Sequence, residues 1–230
     1  KSTLIEARND LLKEIELNSP NANVIIALGE HVLWALTGQR SLDKWRGSIL
    51  TTTLPNGKVI KVIGTYCPTD IVKQWDLNPI FEYDLKKAFE ESTSPELISL
   101  KRDLITKPTF SDVMVFLDHA SKHEKITFDI ETTPQNITCV GIGVSKVMAM
   151  CIPTIPSYWN SMGQLKTVLQ AINKVLSNPN ILKIGQNISY DIQYLHRIFG
   201  ILPAHPWADT MLMQHACYSE MRKGLDFLTS

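Results

Sequence analysis

A chain of 230 residues, 44% hydrophobic and 20% charged, is long enough for one sizeable core or two small domains and too apolar for a disordered or low-complexity polymer. Its 23 basic residues balance 23 acidic ones, so it is no general polyanion sink, and any nucleic-acid contact must be local. No apolar run reaches the ~20 residues of a membrane helix, and no signal-peptide pattern opens the chain, so no membrane partner and a cytoplasmic address are expected. Cys67, Cys139, Cys151 and Cys217 lack C-x-x-C spacing, which argues against a metal ribbon or a disulfide framework.

From Ser2 to Leu17, apolar residues recur at helical intervals among charges, predicting an amphipathic helix ended by Asn18-Ser19-Pro20. The unbroken apolar run before Gly29 predicts a strand buried on both faces of a parallel sheet, and Glu30 to Leu36 a short helix. Two β-branched runs, Ser48 to Leu54 and Lys58 to Thr65, flank Pro55-Asn56-Gly57, a hairpin signal. Tyr66 to Asp70 reads as a loop and Pro79 to Glu91 as a helix. Small polar residues, Pro95 and a charge cluster, with Pro108 just beyond, predict a linker over residues 93–107, between a first domain over 1–92 and a second over 108–230.

In the second part, Phe110 to Ser121 predicts a helix capped by Thr109 or Ser111. Lys125 to Glu131, Asn136 to Val144 and Val147 to Ile152 predict an antiparallel meander. A helix over Gln164 to Leu176, a strand over Ile181 to Ile184, a helix over Gln186 to Ile198 ended by Gly200, and a helical stretch over Asp209 to Tyr218 follow. Three strands followed by alternating helices and a strand indicate an α/β class, a mixed sheet flanked by helices.

Phe128-Asp129-Ile130-Glu131-Thr132 carries the most chemistry. Side chains two apart on a strand share a face, so Asp129 and Glu131 stand side by side at the end of an apolar strand. Such a pair repels unless a cation lies between, and oxygen ligands of this kind suit Mg²⁺ or Mn²⁺; a solvated strand end is the alternative. Ile184 to Asp191 reads as a strand, a glycine turn and a helix start, with Asn187 and Asp191 four apart on one helical face. Capping explains these equally well, Asn187 as N-cap and Asp191 as an acid favoured by the helix dipole.

Together FDIETTP from Phe128, IGQNISYD from Ile184, ADTML from Ala208 and KGLDFL from Lys223 resemble, in order and spacing, the DEDD family of 3′→5′ exonucleases, the proofreading fold of family A DNA polymerases. The resemblance covers roughly Thr106 to Ser230 and implies a ribonuclease H-like mixed sheet. It implies two-metal hydrolysis, with Asp129, Glu131 and Asp191 as catalytic groups and ligands of two Mg²⁺ or Mn²⁺ ions. Thr132, Gln186, Asn187 and Tyr190 would hold the terminal nucleotide of a single-stranded DNA 3′ end. The family's fourth carboxylate falls after the KGLDFL-like segment, beyond Ser230. The H-x-x-x-D spacing of His205 to Asp209 reads as coincidence, because Asp209 already matches the family's Asp-Thr position. The chain is therefore expected to be a fragment of a phage-type replicative polymerase, with the polymerase domain as its C-terminal partner. The alternatives are a stand-alone DEDD nuclease acting on RNA, as ribonuclease D does, and a catalytically silent DNA-binding scaffold.

Val24 to Ala88, with Arg46-Gly47 and Thr65-Tyr66-Cys67-Pro68, resembles the C-terminal half of a uracil-DNA glycosylase superfamily domain. That family places His before the Pro, where this chain has Cys67, and its earlier Gly-rich motif is missing here. A structural or DNA-holding α/β module without glycosylase activity is expected. His31, Trp34, Trp45 and Trp75 are expected in the core, and His119 with His123 lacks a third ligand for zinc.

Overall fold

Helical spacing at the start of the chain yields α1 (Ser2–Asn18), which buries Leu12. β1 (Val24–Leu28) ends at Gly29, whose φ of 91° turns the chain into α2 (Glu30–Thr37). α3 (Leu42–Trp45), β2 (Ile49–Thr53) and β3 (Val59–Thr65) follow, the expected hairpin closing through Gly57. β3 is central, parallel to β1 and antiparallel to β2.

Several residues here differ from expectation. β1 is an edge strand, so Ala27 is buried while Ile26 and Leu28, on its opposite face, remain exposed; an apolar run cannot tell which faces a second layer will cover. The expected loop over Tyr66 to Asp70 instead opens α4 (Pro68–Lys73), where proline at the first helical position loses no hydrogen bond. α5 (Asn78–Ser92) follows a 3₁₀ turn at Trp75–Leu77. Trp75 is 72% exposed rather than core, and His31 is exposed because α2 buries Leu33 and Leu36.

The expected linker contains a strand. β4 (Asp103–Ile105) pairs parallel with β7 (Met148–Pro153) and forms one edge of a second sheet; three residues are too few to show a period. α6 (Phe110–Ala120) starts at Thr109, which exchanges side-chain and backbone bonds with Asp112 in a capping box. β5 (Lys125–Thr132), β6 (Ile137–Gly143) and β7 form the antiparallel meander. Next come α7 (Met162–Leu176), capped by Ser161, β8 (Leu182–Gly185), α8 (Ile188–Phe199), β9 (Trp207–Asp209) and α9 (Thr210–Cys217). Strand order is β4-β7-β6-β5-β8-β9, with only β6 antiparallel to its neighbours. This mixed sheet, flanked by helices, closes a core built from Phe116, Phe128, Val140, Ile152, Val168, Ile172 and Leu195.

This computed structural model describes residues 2–98 and 100–228. It divides into two units, Lys1–Ile98 with Tyr218–Ser230, and Ser99–Cys217. The segment after Cys217, which carries α10 (Leu225–Leu228), therefore groups with the first unit rather than with the domain expected over 108–230. No described helix is long and apolar enough to cross a membrane.

Candidate active site

The site is built where two parallel strands end at different heights. β8 accompanies β5 only from Lys125 to Thr127, whereas β5 runs on to Thr132 beside β6. Along β5, Ile126, Phe128 and Ile130 are buried, and Asp129 and Glu131 point to the exposed face, as the period-2 reading requires. α8 starts just past the end of β8 and buries Ile188, Asp191, Ile192 and Leu195 as one stripe. Asp191 is thus carried inward by its apolar neighbours, and its Oδ1 accepts the Ile130 N–H at 3.0 Å, between Asp129 and Glu131 in the chain.

Asp191 thereby comes within reach of the Asp129 charge, and Asp129 within reach of Glu131. Burial, then the charge of Asp129, pushes the Asp191 carboxyl up to about 6. Burial, then the charge of Glu131, raises Asp129 as well. Among the described residues, no Lys, Arg or His forms an ion pair with any of the three. As the side chains stand, no three His, Cys, Asp or Glu groups among the described residues are gathered closely enough to hold a metal ion. The donor set is nonetheless all hard oxygen with excess negative charge, which fits Mg²⁺ or Mn²⁺.

The flanking residues divide in two. Thr132 and Tyr190 meet, Oγ1 and OH lying 3.1 Å apart at the end of β5. Gln186, by contrast, accepts a hydrogen bond from the Thr210 hydroxyl through Oε1, which ties it to the start of α9. Asn187 occupies the N-cap position of α8 at φ 54°, but its side chain makes no capping bond. The cap comes from Asp209, whose Oδ1 and Oδ2 accept the N–H groups of Asn187 (3.0 Å) and Ile188 (3.1 Å). Asp209 Oδ1 also accepts from Met211 N–H at 2.9 Å, so one buried carboxylate serves two helix starts. Only the Asp-Thr pair at the head of α9 signalled it in the sequence, and that signal pointed to the nearer helix.

The distinctive motifs of the first unit meet elsewhere. Arg46 Nη1 donates to Asp84 Oδ1 at 2.9 Å, and Thr65 Oγ1 donates to Asp84 Oδ2 at 2.8 Å, all three residues being buried. Tyr66 donates to Asp43 at 2.7 Å and is pushed up to about 12, burial being the larger cause. Cys67 and Tyr66 line a cavity of about 700 Å³. These residues hold the unit together by charge and hydrogen bonding.

The acids of β5 thus stand beside the first turn of α8 in a mixed α/β domain whose sheet is flanked by helices. The chain belongs to the 3′-5′ exonuclease family, whose sequence profile matches residues 107–230. No curated protein matches it. Among solved structures, the catalytic core of RRP6 from Trypanosoma brucei is similar at 17% identity and TM-score 0.45, over 56% of this chain and 34% of that one. Escherichia coli RNase D, an exoribonuclease, is similar at 18% identity and TM-score 0.40, over 56% of this chain and 32% of that one. Brucella melitensis NrnC with bound Mg²⁺ is similar at 17% identity and TM-score 0.38, over 56% and 58%. The chain thus spans about a third of the length of the first two.

Proposed function

We propose that this chain removes nucleotides one at a time from the 3′ end of a single strand, with Asp129, Glu131 and Asp191 holding two Mg²⁺ or Mn²⁺ ions. The observation that carries this reading is that Asp191 reaches the backbone of β5 between Asp129 and Glu131 and feels the charge of Asp129, with no cation of the chain paired to the three acids among the described residues. Bound ions supply Lewis acidity, activating water and relieving charge on the leaving 3′-oxygen. The protein's own groups bind and orient. Asp129 and Glu131 present their oxygens on the open face of β5, and Asp191 is locked in place by the Ile130 N–H. Thr132 and Tyr190 brace one another beside them, offering hydroxyls to sugar and phosphate rather than to base edges, as an enzyme that accepts any base requires. Exposed Asn187 is a further contact to the terminal nucleotide, whereas Gln186 acts by fixing the turn before α8.

The substrate we propose is a single-stranded DNA 3′ end in the cytoplasm, in the setting of a polymerase whose synthetic domain is the partner. RNA is the alternative, and the exoribonuclease name of the Escherichia coli neighbour supports it. The test is a 5′-labelled single strand incubated with Mn²⁺, as DNA and as RNA of one sequence. A descending ladder is expected, faster on DNA, with Asp129→Asn, Glu131→Gln and Asp191→Asn each slowing it at least ~100-fold. A ladder indifferent to all three substitutions would refute the reading, and a faster ladder on RNA would transfer it to RNA. For the first unit we propose a structural or DNA-holding module without glycosylase activity; abasic product from uracil-containing DNA would overturn that.

A further inference from the structure

The outward face of α8 carries more than solubility requires. Ile188, Ile192 and Leu195 supply the helix's core contact and half-buried Tyr194 leans against that core, yet Tyr190, Tyr194 and Arg197 form a row at i, i+4 and i+7 whose ends are exposed. The tyrosine rings lie 4.6 Å apart, tilted by 33°, and the Arg197 guanidinium carbon sits 4.3 Å from the Tyr194 ring. Tyr190 is 44% exposed, and Arg197 is exposed. The Thr132 to Tyr190 contact anchors the near end of this stack one residue past Glu131. Two large aromatics and a cation held in line on a surface, leading away from an acid cluster, match the chemistry of an unpaired nucleic-acid strand. Such strands offer base faces for stacking and phosphates for pairing.

We propose that Tyr190, Tyr194 and Arg197 form a track for the single-stranded segment behind the scissile end, the exposed Tyr190 ring stacking on an unpaired base, Tyr194 between Tyr190 and Arg197 holding both in line, and Arg197 pairing with a phosphate. The proposal rests on the exonuclease reading and extends it to Tyr194 and Arg197. Arg197 lies six residues past Asp191, about 9 Å along the helix axis, against ~3.4 Å between stacked nucleotides, so it serves a linkage beyond the terminal one. The neutral net charge of the chain makes such a local cation the means of holding the strand.

The test is fluorescence anisotropy of a labelled ten-nucleotide single strand, DNA and RNA in separate arms, with the full chain in EDTA so that binding is read without cleavage. Tyr194→Ala should raise Kd roughly tenfold, and Tyr194→Phe should restore it, because holding Tyr190 and Arg197 in line needs the ring and not the hydroxyl. Arg197→Ala should weaken binding and reduce the slope of log Kd against log salt by about 0.7, the share of one phosphate on a single strand. Circular dichroism checks that each variant is folded. A Kd within twofold of the parent for folded Tyr194→Ala and Arg197→Ala, or a parent that binds neither strand, overturns the track. A parent that binds through these residues but yields no ladder with Mn²⁺ leaves the track standing and removes the exonuclease reading.

Discussion

At Asp191 the needs of folding oppose those of the proposed ion binding. Burial, and secondarily Asp129, lifts its carboxyl to about 6 from an ordinary 3.8. A folded pKa above the unfolded one means that the native state holds the proton more tightly. The associated stability is complete below about pH 4 and is lost as pH rises through about 6. At ~1.4 kcal/mol per pKa unit, the metal-free protein at pH 7.5 carries a penalty of about 3 kcal/mol at this one residue. Asp191→Asn keeps an oxygen for the Ile130 N–H and carries no charge. In EDTA it should therefore be more stable than the parent at pH 7.5, by about 3 kcal/mol, and match it near pH 4, while hydrolysis with Mn²⁺ is lost. Thermal melts at the two pH values decide this; an Asn variant less stable at pH 7.5 would mean that the carboxylate is already compensated inside the fold. Cys139, across the ladder from Glu131, adds no thiolate to the site, since burial, then its bond with Cys151, pushes it up to about 11.

Between elements, the site depends on how α8 begins. Asp209, at the end of β9, accepts from the first N–H groups of α8 and from the head of α9, joining two helix starts to one strand end. Replacing it with Ala removes both caps in a buried setting, where each is worth about 1 to 2 kcal/mol. Asp209→Ala should lower stability by about 2 to 4 kcal/mol in urea titrations, and should reduce hydrolysis because Asp191 sits in the first turn of the loosened helix. Loss of stability without loss of activity would show that α8 is held by its apolar stripe alone. This arrangement also marks how far the sequence could be read. The alternation along β5 and the Thr109/Asp112 box are local patterns, visible as spacing. By residue type Asn187 suits a cap as well as a nucleotide contact, but the true cap lies 22 residues on, where no local pattern reaches. β4 and β9, of three residues each, are strands only because their neighbours pair with them.

For the whole molecule, every group assigned to hydrolysis lies in Ser99–Cys217, while the unit built from Lys1–Ile98 and Tyr218–Ser230 has its own sheet and its own buried charges. The acid motifs declared the first of these in sequence, since their chemistry is local. The allegiance of the segment after Cys217 was hidden, because it depends on contacts such as the Phe227 ring 4.3 Å from the Arg46 guanidinium, far apart in the chain. The buried Arg46 to Asp84 pair allows the two units to be separated experimentally. Burial raises the Asp84 carboxyl and Arg46 holds it down, so Arg46→Met leaves an acid that folding favours only when protonated. Breaking a buried pair in this way costs about 3 to 5 kcal/mol. Because a raised folded pKa loses stability as pH rises, the loss should be larger at pH 8 than at pH 5. Below its melting temperature the Arg46→Met protein should degrade a single strand within twofold of the parent rate. A cleavage rate that falls in step with the stability of the first unit would instead show that the acid cluster needs that unit intact to keep its geometry.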